Sequence, residues 1–340
     1  MRNVEEFLVN IRTMAIAGHI RPDGDAVGTC MALYLYVREY HPEIDVDVYL
    51  DHPNPVFGHI DCIGEVKMTQ EDPFRSYDLF VTCDVSSPDR LSLGAQMFPR
   101  AGHTVCIDHH ISNTGFADEN HVEGTVSSCS EVLYDLMDPG RVNRSIAVAL
   151  YTGMIHDTGV FRYPSVTPKT MRVAAALMEQ GFDFSRIIDE SFYQKSYVQN
   201  QVMGRVLAES IMIMDGRVIV GYIRRREMSF YGIVSSDLDG IVAQLRLTKG
   251  TEAAVFLYET EPMKFKVSMR SNGNVDVSRV AVYFGGGGHF AAAGCEMAGS
   301  VYDVINNLTE QIARQLEPEY EEASSDTGIA ADETAGYEED

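Results

Sequence analysis

Tryptophan is absent from the 340 residues, no CxxC pair occurs among the six cysteines, and basic side chains are outnumbered 27 to 50 by acidic ones. Each absence excludes something. Cys30, Cys62, Cys83, Cys106, Cys129 and Cys295 are scattered, several within apolar strand-like runs. They read as free, structural thiols and not as a disulfide framework. No aromatic RNA-binding motif appears, so the 17 tyrosines and 15 phenylalanines read mainly as core. No apolar run approaches the ~20 residues that span a bilayer. The opening MRNVEEFLVNIRTM is amphipathic and carries two glutamates in place of a signal peptide's apolar centre. A cytoplasmic location and no membrane partner are expected.

The formal charge of −23 works against binding a long polyanion, whose affinity comes largely from lysine and arginine displacing counterions. Residues 317–340 contain ten acidic residues and no basic one, which leaves −13 on the first 316. Long duplex nucleic acid is thereby disfavoured, while a short substrate held by metals and a few placed side chains remains open.

The length suits two domains plus appendages. In the first half, AIAGHI (15–20), DVDVYL (45–50), LFVTCDV (79–85) and TVCID (104–108) are short, β-branched and largely apolar, as strands covered on both faces must be. They alternate with helical patterns: DAVGTCMALYLYVREY, SSCSEVLYDLMD, RSIAVALYTGMIHD and PKTMRVAAALMEQG. A doubly wound, mainly parallel α/β domain over 1–190 follows. Residues 191–205 read as a helical linker without a Gly/Ser-rich stretch. SIMIMDG, VIVGYI, EAAVFLYE and KFKVSMRS then alternate with period two around one central helix, SDLDGIVAQLRL. That predicts a smaller α/β domain with a mixed sheet over 206–316, followed by a disordered acidic tail over 317–340. No internal repeat is found.

The strongest chemical signal is His19-Ile-Arg-Pro-Asp23-Gly-Asp25-Ala-Val-Gly28, between the first strand and the first long helix. Ligands of open α/β sheets bind outside the carboxyl ends of strands. A histidine and two aspartates within seven residues suit a hard divalent cation such as Mn²⁺. Taken alone, the stretch also fits a helix capped by Asp25 with an incidental His19. Three further positions repeat the pattern. Asp84 ends LFVTC, Asp108-His109-His110 ends TVCI, and His156-Asp157 ends AVALYTGMI. One polar residue at the end of an apolar element is ordinary; four such ends predict convergence on one sheet edge.

Here the sequence resembles the DHH phosphoesterase superfamily. HIRPDGDAVG, CDVSS, IDHHISN and HDTGVFRY look like its four motifs in order, and GGGGHFAAAG (285–294) looks like the DHHA1 signature. The subgroup most resembled comprises the bifunctional oligoribonucleases that are also 3′-phosphoadenosine 5′-phosphate phosphatases. The resemblance implies two Mn²⁺ ions, with Mg²⁺ or Co²⁺ as substitutes. His19, Asp23 and Asp84 would hold one; Asp25, the bridging Asp84, His109 and Asp157 the other. Two such cations polarise an attacking water and neutralise the phosphoryl oxygens. Asp108 would orient its neighbours, and His110 would donate to the phosphate or protonate the leaving oxygen. His156 departs from the family's usual small or hydroxyl residue; helix packing and support of Asp157 both fit it.

A glycine run can be a flexible loop, or can bring backbone N–H groups close to an anion. The resemblance favours the second for Gly286, Gly287 and Gly288, with His289 as donor and Arg270 beside Ser271 grasping a phosphate. It also implies an active site in the interdomain cleft and a homodimer. Arg90, Arg162 and Tyr163 lie near the motifs but fit ordinary surface roles equally well.

The expected function is hydrolysis of short oligoribonucleotides to 5′-mononucleotides, with 3′-phosphoadenosine 5′-phosphate as a second substrate. Cyclic dinucleotides or linear pApA and pGpG are the alternative substrates. A catalytically inactive nucleotide-binding protein is a reading from another class, and the complete ligand set disfavours it. A family II inorganic pyrophosphatase would lack GGGGH.

Overall fold

The computed structural model of the protein describes residues 3–316, and the expectation for the acidic tail lies outside them. The chain divides into two compact units after Gln194.

The first unit contains strands β1 (Thr13–Ala17), β2 (Asp45–Tyr49), β3 (Leu79–Cys83), β4 (His103–Asp108) and β5 (Glu119–Val122), and helices α1 (Val4–Phe7), α2 (Gly24–Tyr40), α3 (Cys129–Leu136), α4 (Arg144–Asp157), α5 (Pro168–Met178) and α6 (Phe184–Ile188). The sheet order is β2-β1-β3-β4-β5, and every pair is parallel. Four of these strands were legible as apolar runs. β5, with the sequence ENHV, is a polar edge strand and gave no such signal.

One sheet face buries Met14, Ile16, Val81, Val105 and Ile107 against α2 and α3, with α4 packed behind α2. The opposite face buries Ala15, Ala17 and Phe80 against Val85, Leu91, Met97 and Phe98, from an irregular segment with short 3₁₀ turns. Helix α2 is apolar all round, as a helix sandwiched between layers must be: every residue from Gly24 to Val37 is buried. Where α2 crosses α4, a Cβ on Gly28 would lie 2.5 Å from the Ala149 carbonyl and 2.7 Å from the Gly153 nitrogen. Only glycine permits backbones that close. The crossing sets the start of α2 beside the end of α4.

The second unit contains α7 (Tyr197–Ala208), β6 (Ile211–Ile213), β7 (Val218–Ile223), α8 (Arg225–Tyr231), α9 (Ile241–Arg246), β8 (Ala253–Glu261), β9 (Lys264–Ser271), α10 (Val277–Tyr283), β10 (Gly287–His289), β11 (Ala292–Ala298) and α11 (Val301–Leu316). The order β10-β11-β9-β8-β7-β6 is antiparallel except for β7–β8. The expected single central helix is a correction. α9 shares one sheet face with α7 and α8 over Ile219, Ile223, Ala254 and Phe256, while α10 and α11 cover the other over Val255, Val267 and Met269. Val202 and Val206 of α7 pack in this unit, the first of them within the stretch expected as linker.

Candidate metal and phosphate sites

All the first-unit site residues sit at the carboxyl end of the parallel sheet. In the order β2-β1-β3, consecutive strands depart to opposite sides between β1 and β3, the switch point where such sheets open a crevice. His19 follows β1, Asp84 follows β3, Asp108 ends β4, and His109 and His110 follow it. Asp25 lies in the first turn of α2 and Asp157 is the last residue of α4, adjoining through the glycine crossing.

Three groups of ligand atoms form there. Those of His19, Asp23 and Asp84 lie within 4.8 Å of one another, as do those of Asp25, His109 and Asp157, and those of Asp84, His109 and His110. Asp84 stands between the first two groups: its Oδ2 is 3.4 Å from His19 Nε2 and its Oδ1 is 3.5 Å from His109 Nε2. The Asp84 backbone has φ 59°, a left-handed conformation disfavoured for side-chain-bearing residues but tolerated by aspartate.

Neighbours orient each ligand. His19 donates from Nδ1 to the Ile20 carbonyl at 2.8 Å, which turns Nε2 toward Asp23 and Asp84. Asp23 is the N-cap of α2, accepting from the amides of Asp25 and Ala26. The capping role considered for Asp25 therefore belongs to Asp23, and Asp25 is freed for the interior. Fully buried, Asp25 accepts from the Cys129 amide at 2.5 Å, the Ser130 amide at 3.0 Å and the Ser130 hydroxyl at 2.7 Å. The two amides are orphan donors at the start of α3, a helix terminus that favours an anion. Asp108 accepts from His110 Nδ1 and from Asn113, both at 2.7 Å, leaving His110 Nε2 outward as a donor.

Ser130 and Asn113 were not singled out in the sequence. The capping pattern Ser128-x-x-Glu131 was a usable signal for the first, because it places a helix N-terminus, and so a demand for a carboxylate, beside Ser130.

The titration pattern has one physical cause, carboxylates and imidazoles crowded out of water. Burial opposes protonation of His19, but Asp23 and Asp84 outweigh it and hold its pKa at about 10. Burial likewise opposes His109, and Asp84, Asp25 and Asp157 raise it to about 10. Asp157 is pushed up to about 8 by burial and then by Asp25, and Asp25 to about 6 by burial and then by Asp84. For Asp84, burial pulls upward, yet His109 and His19 drive it well below the usual carboxylate range. His110 is raised, first by its hydrogen bond to Asp108. Protons are retained where compensating positive charge is in demand.

The site fits divalent cations. Asp84 Oδ1 is buried and has no hydrogen-bond partner among the described residues, with His109 and His110 nitrogens at 3.5 and 3.6 Å. An orphaned buried carboxylate oxygen is costly, and a cation between the two triads would satisfy it. Mixed imidazole and carboxylate donors suit Mn²⁺, Zn²⁺ or Mg²⁺-like ions.

In the second unit, cross-strand register sets Arg270 opposite Ala292 and Ala292 opposite His289. Cross-strand partners share a sheet face. Arg270 and His289 thus flank the small Ala292 in one row, their backbones about 10 Å apart by strand spacing. The alternation along β9 leaves Lys264, Lys266, Ser268 and Arg270 half-buried on one face and buries Phe265, Val267, Met269 and Ser271 on the other. Ser271 therefore cannot stand beside Arg270, since successive strand residues face opposite ways. Its hydroxyl is buried and accepts from the amides of Gly273 and Val275. Lys266 takes its place on the Arg270 face, and the same period-two reading would have found it.

The glycine run divides as well. The Gly286 amide donates to the Ala281 carbonyl at 2.8 Å and so is not turned to an anion. A Cβ on Gly286 or Gly288 would strike the backbone of β11. Gly287 has open space where a side chain would lie and no left-handed backbone to demand glycine.

The pattern of the DHH family, N-terminal domain, matches residues 13–154, and that of the DHHA1 domain matches residues 215–317. The chain belongs to the DHH/DHHA1 family. Among relatives of this DHH/DHHA1 chain is the bifunctional oligoribonuclease and PAP phosphatase NrnA of Thermus thermophilus, 29% identical over 323 residues, 92% of this chain and 95% of that one. The Bacillus subtilis protein of the same name is 27% identical over 290 residues, 84% of this chain and 89% of that one. The crystal structure of an exopolyphosphatase-related protein from Bacteroides fragilis has the same fold, with TM-score 0.85, 23% identity and coverage of 93% of this chain and 96% of that chain. The first domain match stops short of Asp157, whose assignment rests on the geometry above. No described helix is long and apolar enough to cross a membrane.

Proposed function

We propose that the protein is a two-metal phosphoesterase that cleaves oligoribonucleotides of two to a few units to 5′-mononucleotides and also removes the 3′-phosphate of 3′-phosphoadenosine 5′-phosphate. The observation that carries this reading is the pair of ligand triads, His19/Asp23/Asp84 and Asp25/His109/Asp157, around the orphaned oxygen of Asp84. The names and full-length similarity of the Thermus and Bacillus relatives support the substrate class.

Two Mn²⁺ ions held by these triads would supply Lewis acidity and neutralise charge on the phosphoryl oxygens. The protein's own groups do the rest. Asp108 accepts a hydrogen bond from His110 Nδ1 and favours the protonated imidazole, whose Nε2–H would protonate the departing oxygen. Asn113 fixes the second oxygen of Asp108, and with it the imidazole plane. The row of Arg270, Ala292 and His289 offers a guanidinium and an imidazole to a non-reacting phosphate, with a small residue leaving room between them. No nucleophilic serine or cysteine is needed, and the buried cysteines near the site are held protonated by burial.

The test is release of mononucleotide from a diribonucleotide, and of phosphate from 3′-phosphoadenosine 5′-phosphate, by purified protein with Mn²⁺. The expected result is Mn²⁺-dependent turnover of both, abolished in Asp84→Ala. Tight binding of the dinucleotide without cleavage under any divalent cation would establish a binding protein and overturn the proposal. Turnover of cyclic dinucleotides in preference to both would move the substrate assignment.

A further inference from the structure

His156 is the residue before Asp157, and the proposed chemistry leaves it unused. Its imidazole lies directly on Gly24: a Cβ built there would be 2.2 Å from His156 Cγ and 2.5 Å from its Cβ. Gly24 is the link between Asp23 and Asp25, which belong to different triads. The same ring meets Phe57 edge-on at 5.1 Å between centroids and Phe192 at 5.4 Å. Its Nε2 is 3.2 Å from Ser191 Oγ, and that hydroxyl donates its own proton to the Ile187 carbonyl at 2.7 Å. Ser191 can therefore only accept from the histidine, which fixes the tautomer with hydrogen on Nε2. Ser191 sits in a π-helical turn, Asp189–Tyr193, an element that occurs mainly as isolated turns at functional sites.

One ring thus joins the Asp23–Asp25 backbone, the turn at Phe57 and the π-turn, while its own backbone carries the Asp157 ligand. Resting on the two-cation reading above, we propose that His156 is a positioning residue: it fixes the spacing between the Asp23–Asp25 loop and Asp157, and so the affinity for the metal pair. A small residue at 156 would leave the Gly24 peptide without this shelf, and any side chain at 24 would displace the shelf. The two positions must then act as one unit.

A double-mutant cycle with calorimetric Mn²⁺ titration of the stripped full chain tests this, with thermal unfolding in chelator as the control for folding. Gly24→Ala and His156→Ala are each expected to weaken Mn²⁺ binding by about 10- to 100-fold, the range for groups that orient metal ligands. The double variant should bind Mn²⁺ more tightly than Gly24→Ala alone, because removing the ring makes room for the methyl group. His156→Phe, which keeps a ring on the shelf, should lose less affinity than His156→Ala and covers the case in which the alanine variant does not fold. Additive losses, or a lowered melting temperature in His156→Ala with Mn²⁺ affinity and stoichiometry unchanged, would make His156 a packing residue and overturn the inference. A wild-type chain that binds no Mn²⁺ would overturn the two-cation reading with it, whereas two ions in the wild type and in every variant at equal affinity would overturn the positioning role alone.

Discussion

The candidate metal ligands of the first unit come from four separated stretches; His19, Asp25 and Asp84 are buried, His109 and Asp157 partly so, and Asp23 is exposed. The residues proposed to hold a phosphate in the second unit come from three neighbouring strands, and His289 is exposed. The contrast follows from the tasks. Charges that must act on a reacting atom gain strength from low dielectric and need rigid support from hydrogen bonds and helix termini. A grip on a non-reacting phosphate needs reach and donors more than dryness, and a hairpin with small residues supplies both. Removal of a first-unit group is therefore expected to lower turnover or metal content, and removal of a second-unit group to lower substrate affinity.

The largest effect is expected at Asp84. Asp84→Asn keeps a side chain that tolerates the left-handed backbone but loses the charge shared by the two triads. A fall of about 10³-fold or more in kcat for dinucleotide cleavage is expected, several kcal/mol of metal-derived stabilisation being at stake. Survival of turnover would break the proposed division of labour. Next come Ser130→Ala and Arg270→Ala, which separate the two units. Ser130→Ala loosens Asp25 and should weaken Mn²⁺ binding about 10- to 100-fold in a calorimetric titration. Arg270→Ala should raise KM by about 10- to 100-fold with kcat kept, as loss of a charge-assisted hydrogen bond implies.

A smaller effect concerns pH. Without cations, His19 and His109 hold protons up to about 10 and Asp157 up to about 8. Protons and cations compete for the same lone pairs, so lowering the pH weakens binding. Mn²⁺ affinity should therefore climb with pH to about 10, most steeply below about 8, with protons released on binding. Calorimetry in two buffers of different ionisation heat measures that release. The smallest effect belongs to Ser271→Ala, which should leave KM unchanged and lower stability by about 1 kcal/mol through lost hydrogen bonds in the turn after β9. A rise in KM would return Ser271 to the substrate.

What could be read in the sequence depended on how local the signal was. Asp84 and Asp108 were legible because each abruptly ends an apolar run, and a parallel strand's carboxyl end is where a ligand belongs. The anchoring of Asp25 was not, since its partners are the amides of Cys129 and Ser130, more than a hundred residues away. Ser271 was misplaced by treating adjacency in sequence as adjacency in space, against the two-residue period of its own strand. β10 and β11 escaped because glycine and alanine carry little strand propensity; they pair through backbone proximity that larger residues would prevent. Helix α11 is strongly amphipathic, a helical signal that a sheet around one central helix leaves out.

The left-handed backbone at residue 84 filters which amino acids can occupy it, before any demand of catalysis. β-branched and bulky side chains are disfavoured there, and glycine, asparagine and aspartate are the most tolerant. Only one of those brings an anion. A saturation library at this position scored for folding alone should be enriched in all three, and one scored for turnover should return aspartate, so the geometry of the chain biases the choice and the chemistry picks within it.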